Sequence, residues 1–317
     1  MKKRLVVVLA LVLVFTSVFF TACGDKKTEQ IIVGSGGSTG TYYGFCNVVA
    51  TTLNEKAGIS LMVQSSGASK ANILGIADGE VDMAIVQNDV MDYAYNGTSL
   101  FEKDGKIQSF STLGGVYAEV CQIVARADSG IKTIADLKGK KVSVGDSGSG
   151  VEFNAQQILG AYDVTFDDIV KSNLSFNDSA AALKDGTIDA FFCTAGAPTV
   201  AITDLSTTTG IILLGVDEEH LAKLQADYAF YTAYNVPAET YKGVGEVTTV
   251  AVKATFIVSN DLDEETVYNL TKAIYENKDS FEHAKAKEMT LEYAVTGITV
   301  PFHPGADKYF REVGAIK

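Results

Sequence analysis

The sequence predicts an α/β protein made of two similar lobes, and three observations predict it. Short apolar runs that suit buried strands alternate with stretches whose apolar residues recur at helical spacing. That alternation is written twice along the chain. Each copy also has a Gly/Ser/Thr loop after its first strand and an Asp-Gly joint before a later one. The first copy reads Ile31-Ile32-Val33, then GSGGSTGTYYG from Gly34, and later Asp78-Gly79-Glu80-Val81-Asp82 ahead of Met83. The second reads Val142-Ser143-Val144, then GDSGSG from Gly145, and later Asp185-Gly186-Thr187-Ile188-Asp189 ahead of Ala190. With 317 residues the chain has room for two domains of about 150 residues each.

In the first lobe residues 31–33 read as a buried strand. Phe45, Cys46, Val49 and Leu53 then share one helix face, and Gly58 ends that helix. Residues 59–63 are a second strand. Residues 65–69 open a helix with Ile73, Leu74 and Ala77 inward, Asp78-Gly79 stops it, and 81–86 are the third strand. A β-α-β-α-β order predicts parallel strands with right-handed crossovers. In the second lobe the strands are expected at 141–144, 174–176 and 188–193, with helices at 151–159 and 179–184. Residues 115–126, 228–234 and 247–258 are rich in Val, Thr and Tyr and read as extended connections between lobes. From Asn260 the chain is helical, with Asp263, Glu264 and Glu265 suiting a first turn and Val267, Leu270 and Ile274 on one face. Residues 31–118 and 252–317 are therefore expected to form lobe I, and 119–251 an inserted lobe II.

The N-terminus carries a targeting signal. Lys2-Lys3-Arg4 precedes an apolar stretch over 5–20, short for a membrane span, and Thr21-Ala22-Cys23-Gly24 follows. Small residues before a cysteine resemble a bacterial lipobox, although Phe20 stands where leucine is usual. Residues 1–22 are expected to be a signal peptide, Cys23 the lipidated residue and 23–30 a polar tether; a retained signal anchor is the alternative. This places the protein outside the cell, lipid-anchored to the outer face of the cytoplasmic membrane.

Composition narrows the chemistry. The formal net charge is −13, which argues against nucleic acid as partner because phosphate contacts need basic clusters. Cys46, Cys121 and Cys193 cannot all pair internally, show no CxxC spacing and sit in apolar stretches, so packed free thiols are expected. His220, His283 and His303 fall in no metal or triad motif. GSGGSTGT lacks the Gly-Lys-Ser/Thr close of a phosphate loop, and Thr39 replaces the last glycine of GxGxxG. No cofactor and no metal are expected.

The loops suit a carboxylate. Glycine exposes backbone N–H groups, hydroxyls add donors, and each following helix points its positive end at the same place. The candidates are Gly37, Ser38 and Thr39 before the first helix, Ser66, Gly67, Ala68 and Ser69 before the second, and Ser147, Gly148, Ser149 and Gly150 before the third. Each alone reads first as an ordinary N-cap turn, and three such starts on one cleft rim shift the balance toward a site. Asp89 and Glu152 are candidate acceptors for a ligand ammonium, or else solvated surface carboxylates. Of Tyr42 and Tyr43, neighbours at a helix start, one should face the ligand and the other the core. After Arg4 only Arg126 and Arg311 remain, so a guanidinium clamp is open only to Arg126.

The segments GSGGSTGTYYG, SSGASKANILGIADGEVDMAIVQNDV, VSVGDSGSGVEFNAQQIL and ALKDGTIDAFFCTAGAPT, in this order from Ile31 onward, resemble the TAXI-type solute-binding proteins of TRAP transporters. That resemblance implies a type II periplasmic binding protein fold, two Rossmann-like lobes with a hinge and a central ligand cleft. It implies capture of a small carboxylate or amino acid, glutamate-like ligands among them, by a monomer that delivers it to TRAP membrane subunits. It also implies that Ser38, Thr39, Tyr42, Ser69, Asn72, Gln87, Ser149, Gly150, Glu152, Thr194 and Gly196 lie in cleft-lining segments, with Ala195 between the last two. Ser65-Ser66 before Gly67 departs from the Ser/Thr-Thr-Gly expected there. Two rival functions are a receptor for an ABC transporter or sensor, and an enzyme on the same fold with Cys193 as its reactive residue.

Overall fold

The computed structural model describes residues 30–317; the expected signal peptide, Cys23 and the tether before Gln30 lie outside them. Among the described residues ten strands form one sheet, in the order β2 (Leu61–Gln64), β1 (Ile31–Gly34), β3 (Met83–Gln87), β10 (Val247–Ser259), β4 (Phe110–Arg126), β7 (Ala190–Ala195), β5 (Lys141–Ser143), β6 (Val170–Ser172), with β8 (Ile211–Leu214) paired to β4 and β9 (Thr232–Val236) to β10. In the first half β1 (Ile31–Gly34) runs parallel between β2 (Leu61–Gln64) and β3 (Met83–Gln87). The second half repeats this, with β5 (Lys141–Ser143) parallel between β6 (Val170–Ser172) and β7 (Ala190–Ala195). The repeated strand–loop–helix pattern thus encodes two copies of one parallel unit.

Two long strands join the copies. β4 (Phe110–Arg126) and β10 (Val247–Ser259) pair antiparallel from Phe110 with Ser259 to Val120 with Ala251. β10 also pairs with β3 in the first half and with β9 (Thr232–Val236) in the second. β4 also pairs with β7 and with β8 (Ile211–Leu214). The apolar packing divides on this ribbon. Tyr117 and Ala254 belong to the core of the first half, and Val120 and Ala251 to that of the second. Glu119, buried between them, sits where one core gives way to the other.

The helices follow local rules. α1 (Thr41–Ala57) buries Phe45, Cys46, Val49 and Leu53, and stops at Gly58, whose φ of 67° suits a residue without a β-carbon. α2 (Ser69–Ala77) and α3 (Asn88–Asn96) flank β3. α4 (Gly150–Ala161), α5 (Phe176–Lys184), α6 (Val200–Thr208) and α7 (Glu218–Asp227) belong to the second half. α8 (Glu264–Glu276) starts at Asp263, whose side chain accepts the Thr266 N–H, and buries the expected Val267, Leu270 and Ile274. α9 (Leu291–Val295) and α10 (Pro304–Glu312) complete the chain.

Two expected strands moved. Residues 174–176 form no strand, because Ser175 caps α5 through its Oγ and Phe176 is already helical; the strand lies earlier, at β6. Residues 228–234 are divided, since Tyr228 caps the end of α7 and extended pairing begins only at Thr232. In both places a side chain or helix end competes with β-propensity and wins.

Candidate ligand-binding site

Three helices begin at one cavity of about 40 Å³ between the two halves. Thr41, Ser69 and Gly150, the first residues of α1, α2 and α4, all line it. The N-caps of α1 and α2 are Gly40 and Ala68, and neither supplies a side-chain hydrogen bond to the helix start. Their first-turn N–H groups are thus left to other partners, and the positive helix ends reinforce one another. The third N-cap, Ser149, accepts the Glu152 N–H at 3.3 Å. Ala68 has φ 64° and ψ −144°, a region that glycine favours, so the surrounding structure holds its backbone under strain at the cavity wall.

The strongest electrostatic feature is a carboxyl group. Glu119 from β4 lines the cavity, is only 2% exposed, and its Oε1 has no hydrogen-bond partner. Burial pushes its pKa up to about 8, against the opposing pull of the Lys285 ammonium and the Tyr42 and Tyr117 hydroxyls. Those two hydroxyls stand close enough to Glu119 to favour its charged form, but neither meets hydrogen-bonding geometry with it or with any other group. Gln87 Oε1, at the cavity wall, is a further buried acceptor with none. Buried polar atoms normally find partners, so an unpaired carboxyl oxygen and an unpaired amide oxygen at one cavity call for a ligand with N–H donors. Phe176, Val151, Ala68 and Ala195 supply apolar wall.

Behind the cavity the halves touch through polar groups. Thr41 Oγ1 donates to the Gly196 carbonyl at 2.9 Å. Gln87 Nε2 donates to Asn154 Oδ1 at 3.0 Å, and Asn154 Nδ2 to Asp89 Oδ2 at 3.1 Å. Gln157 Nε2 donates to the Tyr93 hydroxyl at 3.0 Å. Asp89 is buried, which pushes its pKa up to about 6, while the backbone at the start of α3 and Asn154 favour its charged form.

Of the residues expected from sequence, Gly37, Tyr42, Ala68, Ser69, Gln87, Gly150, Thr194 and Ala195 line the cavity. Tyr42 is the buried one of its pair and Tyr43 is half-buried. Ser38, Thr39, Tyr43, Gly67, Ser147 and Gly148 do not line it. Ser66 and Asn72 brace the first loop instead. Ser66 Oγ donates to Asn72 Oδ1 at 2.6 Å, and Asn72 Nδ2 donates to the Ser35 and Ile85 carbonyls, each at 2.8 Å. Ser149 caps α4, and Gly196 presents its carbonyl to Thr41. The two expected ammonium acceptors lie outside the cavity lining, and Asp89 Oδ1 is buried without a hydrogen-bond partner. Glu152 is engaged by Lys171 Nζ at 2.5 Å and by the Gly148 N–H at 2.7 Å, and Asp89 lies in the layer behind, bonded to Asn154. Arg126 is held at the surface by both oxygens of Asp128.

Sequence reasoning missed Gly36, Gly40, Thr41, Val151, Phe176 and, above all, Glu119. A signal for Glu119 was there: it is the only charged residue from Phe110 to Ala125, in a strand otherwise apolar or neutral. Such a carboxylate is costly to bury without a purpose.

The chain matches the NMT1-like family over residues 33–314. It belongs to the NMT1-like family. Among solved structures similar to it is one from Bordetella bronchiseptica RB50, 16% identical, covering 90% of this chain and 81% of that one with a TM-score of 0.55. Another is a putative L-cystine ABC transporter protein from Listeria monocytogenes, 15% identical, covering 85% and 98% with a TM-score of 0.51. A third is the alkanesulfonate-binding protein SsuA from Xanthomonas axonopodis pv. citri bound to MOPS, 15% identical, covering 89% and 83% with a TM-score of 0.50. The fold is that of type II periplasmic binding proteins, as expected. The TAXI resemblance and the TRAP permease it implied are corrected. The family matched is NMT1-like, and the transporter class named among these structures is ABC. Gly/Ser loops and Asp-Gly joints answer to backbone geometry, which the type II fold imposes on receptors of several transporter classes.

Among the described residues no helix of this NMT1-like chain is long and apolar enough to cross a membrane. Cys193 is fully buried, which pushes its thiol well above the ordinary range and disfavours the nucleophilic thiolate.

Proposed function

We propose that this chain is an extracytoplasmic solute-binding protein that captures a small amine-bearing carboxylate between its halves and delivers it to an ABC-type permease. One observation carries this reading: the starts of α1, α2 and α4 meet the unpaired carboxyl of Glu119 at a single cavity. The helix ends take the solute's carboxylate, and Glu119 takes its ammonium group. As the halves stand, about 40 Å³ accommodates little more than one or two waters. A solute of amino-acid size therefore enters by separation of residues 31–118 and 252–317 from 119–251, flexing on β4 and β10, and closure follows.

A thermal-shift screen of residues 24–317 against amino acids and their deaminated counterparts tests the ligand class. An amino acid should raise the melting temperature, and the acid lacking its amine should not. Stabilisation only by acids without an amine excludes the proposal. The ABC partner is supported by the structures that share the fold, and an ATP-binding subunit encoded beside the gene would separate it from a sensor. Export and lipid anchoring rest on residues 1–23, so a fatty-acid label fed to cells should be incorporated by the parent protein and not by Cys23→Ser. Absence of label on the parent protein counts against lipidation.

A further inference from the structure

Glu119 is unusual in where it lies as well as in being unpaired. It occupies the crossing of the two halves on β4, paired in register with Val252 of β10. The nearest cation is already taken: Lys285, 4% exposed, places Nζ 2.7 Å from Glu288 Oε1. Glu288 in turn accepts the Ala118 N–H through its other oxygen, at 2.8 Å. That pair is electrically balanced, so Glu119 has no counter-ion of its own. The remaining groups that face it bring no positive charge. Tyr42 from α1 and Tyr117 from β4 are held neutral by burial. The Cys193 thiol from β7, the Cys121 thiol from β4 and the Tyr293 phenol from α9 are likewise pushed toward their neutral forms, partly by Glu119 itself. Asp89 of α3 adds negative charge on the Tyr42 side.

We propose that capture in this cavity is a proton exchange: Glu119 holds a proton until a solute's ammonium group faces it, and releases that proton as the solute binds. This rests on the amine-bearing ligand proposed above and adds the stoichiometry. The Glu119 O–H bond breaks, the proton passes to a buffer base, and an N–H of the entering ammonium donates to the carboxylate; no electrons are transferred. Lys285 is a positioning residue, since its charge acts on Glu119 without touching the solute. Below the pH at which Glu119 ionises, affinity should rise about tenfold per pH unit, and above it the rise should stop.

Calorimetry with L-glutamate, L-alanine and glutarate at pH 7, in phosphate and in Tris, reads the exchange. Binding of either amino acid should release close to one proton, seen as a different heat in the two buffers, and glutarate should release none. In the protein alone, carboxyl carbon-13 resonances of labelled glutamates should include one titrating near pH 8. That resonance should disappear in Glu119→Gln and move to higher pH in Lys285→Met. Amino-acid binding with no buffer dependence overturns the exchange but leaves the capture reading standing. A Glu119 resonance titrating in the ordinary carboxylate range overturns it whatever binds. If neither amino acid binds, the amine reading fails and the exchange with it.

Discussion

Replacing Glu119 by glutamine is expected to cut affinity for an amine-bearing solute roughly 30-fold or more, yet to make the protein more stable at alkaline pH. The first effect follows from leaving a buried ammonium group opposite a neutral amide, a loss on the order of 2–5 kcal/mol. The second follows from linkage. The folded-state pKa of Glu119 is raised to about 8 from the ordinary value of 4.5. A raised carboxyl keeps its proton in the folded state while the unfolded chain has already released it. Stability is therefore fully present below pH 4.5 and declines as pH climbs to about 8, where the loss levels off. At pH 9 that loss is on the order of 5 kcal/mol for a fully buried group. Glutamine does not ionise, so the variant should melt several degrees higher than the parent at pH 9 and close to it at pH 4. Melting curves across that range, beside calorimetric affinities, provide the check. Unchanged affinity, or a stability difference that ignores pH, would remove Glu119 from the site. The opposition of the two effects is the usual signature of a group kept for binding rather than for folding.

Gly150→Ala should hold the halves apart. A β-carbon there would lie 1.7 Å from Gln87 Oε1, 2.5 Å from Gln87 Cδ and 3.1 Å from Val90 Cγ2. Gly150 opens α4 in the second half, whereas Gln87 ends β3 in the first, so the clash falls across the cleft. Gln87 could swing aside only by giving up its hydrogen bond to Asn154. Within its own half the change is benign, because alanine favours the helix over glycine by up to about 1 kcal/mol. Small-angle scattering with saturating L-glutamate should show a more expanded particle than the parent, with affinity at least about tenfold weaker. The double variant Gly150→Ala/Gln87→Ala removes the obstructing side chain and should recover compactness. Equal compactness in parent and single variant would mean that the halves do not close on this contact.

The fold was largely legible because its signals are local. Gly58, Gly79 and Gly186 all adopt positive φ, as helix stops require, and Asp263 caps α8 where acidic residues pointed. The site was legible only in part. Loops before helices announced Gly37, Ser69 and Gly150, since a helix start is specified by a few adjacent residues. Glu152 was less legible: it directly follows the cavity residues Gly150 and Val151, but Lys171 from β6 engages it, and that pairing spans 19 residues of sequence.

From the sequence alone came the two-copy α/β plan and the three helix starts, because hydrophobic period, capping and glycine geometry act over a few residues. Tertiary structure alone decided that Glu119 lines the cavity with an unpaired oxygen, that Asp89 lies outside its lining, and that Gly150 meets Gln87. Each of those facts depends on strands and helices far apart in the chain being brought within a few ångströms, where burial and the surrounding charges, rather than residue type, set the chemistry.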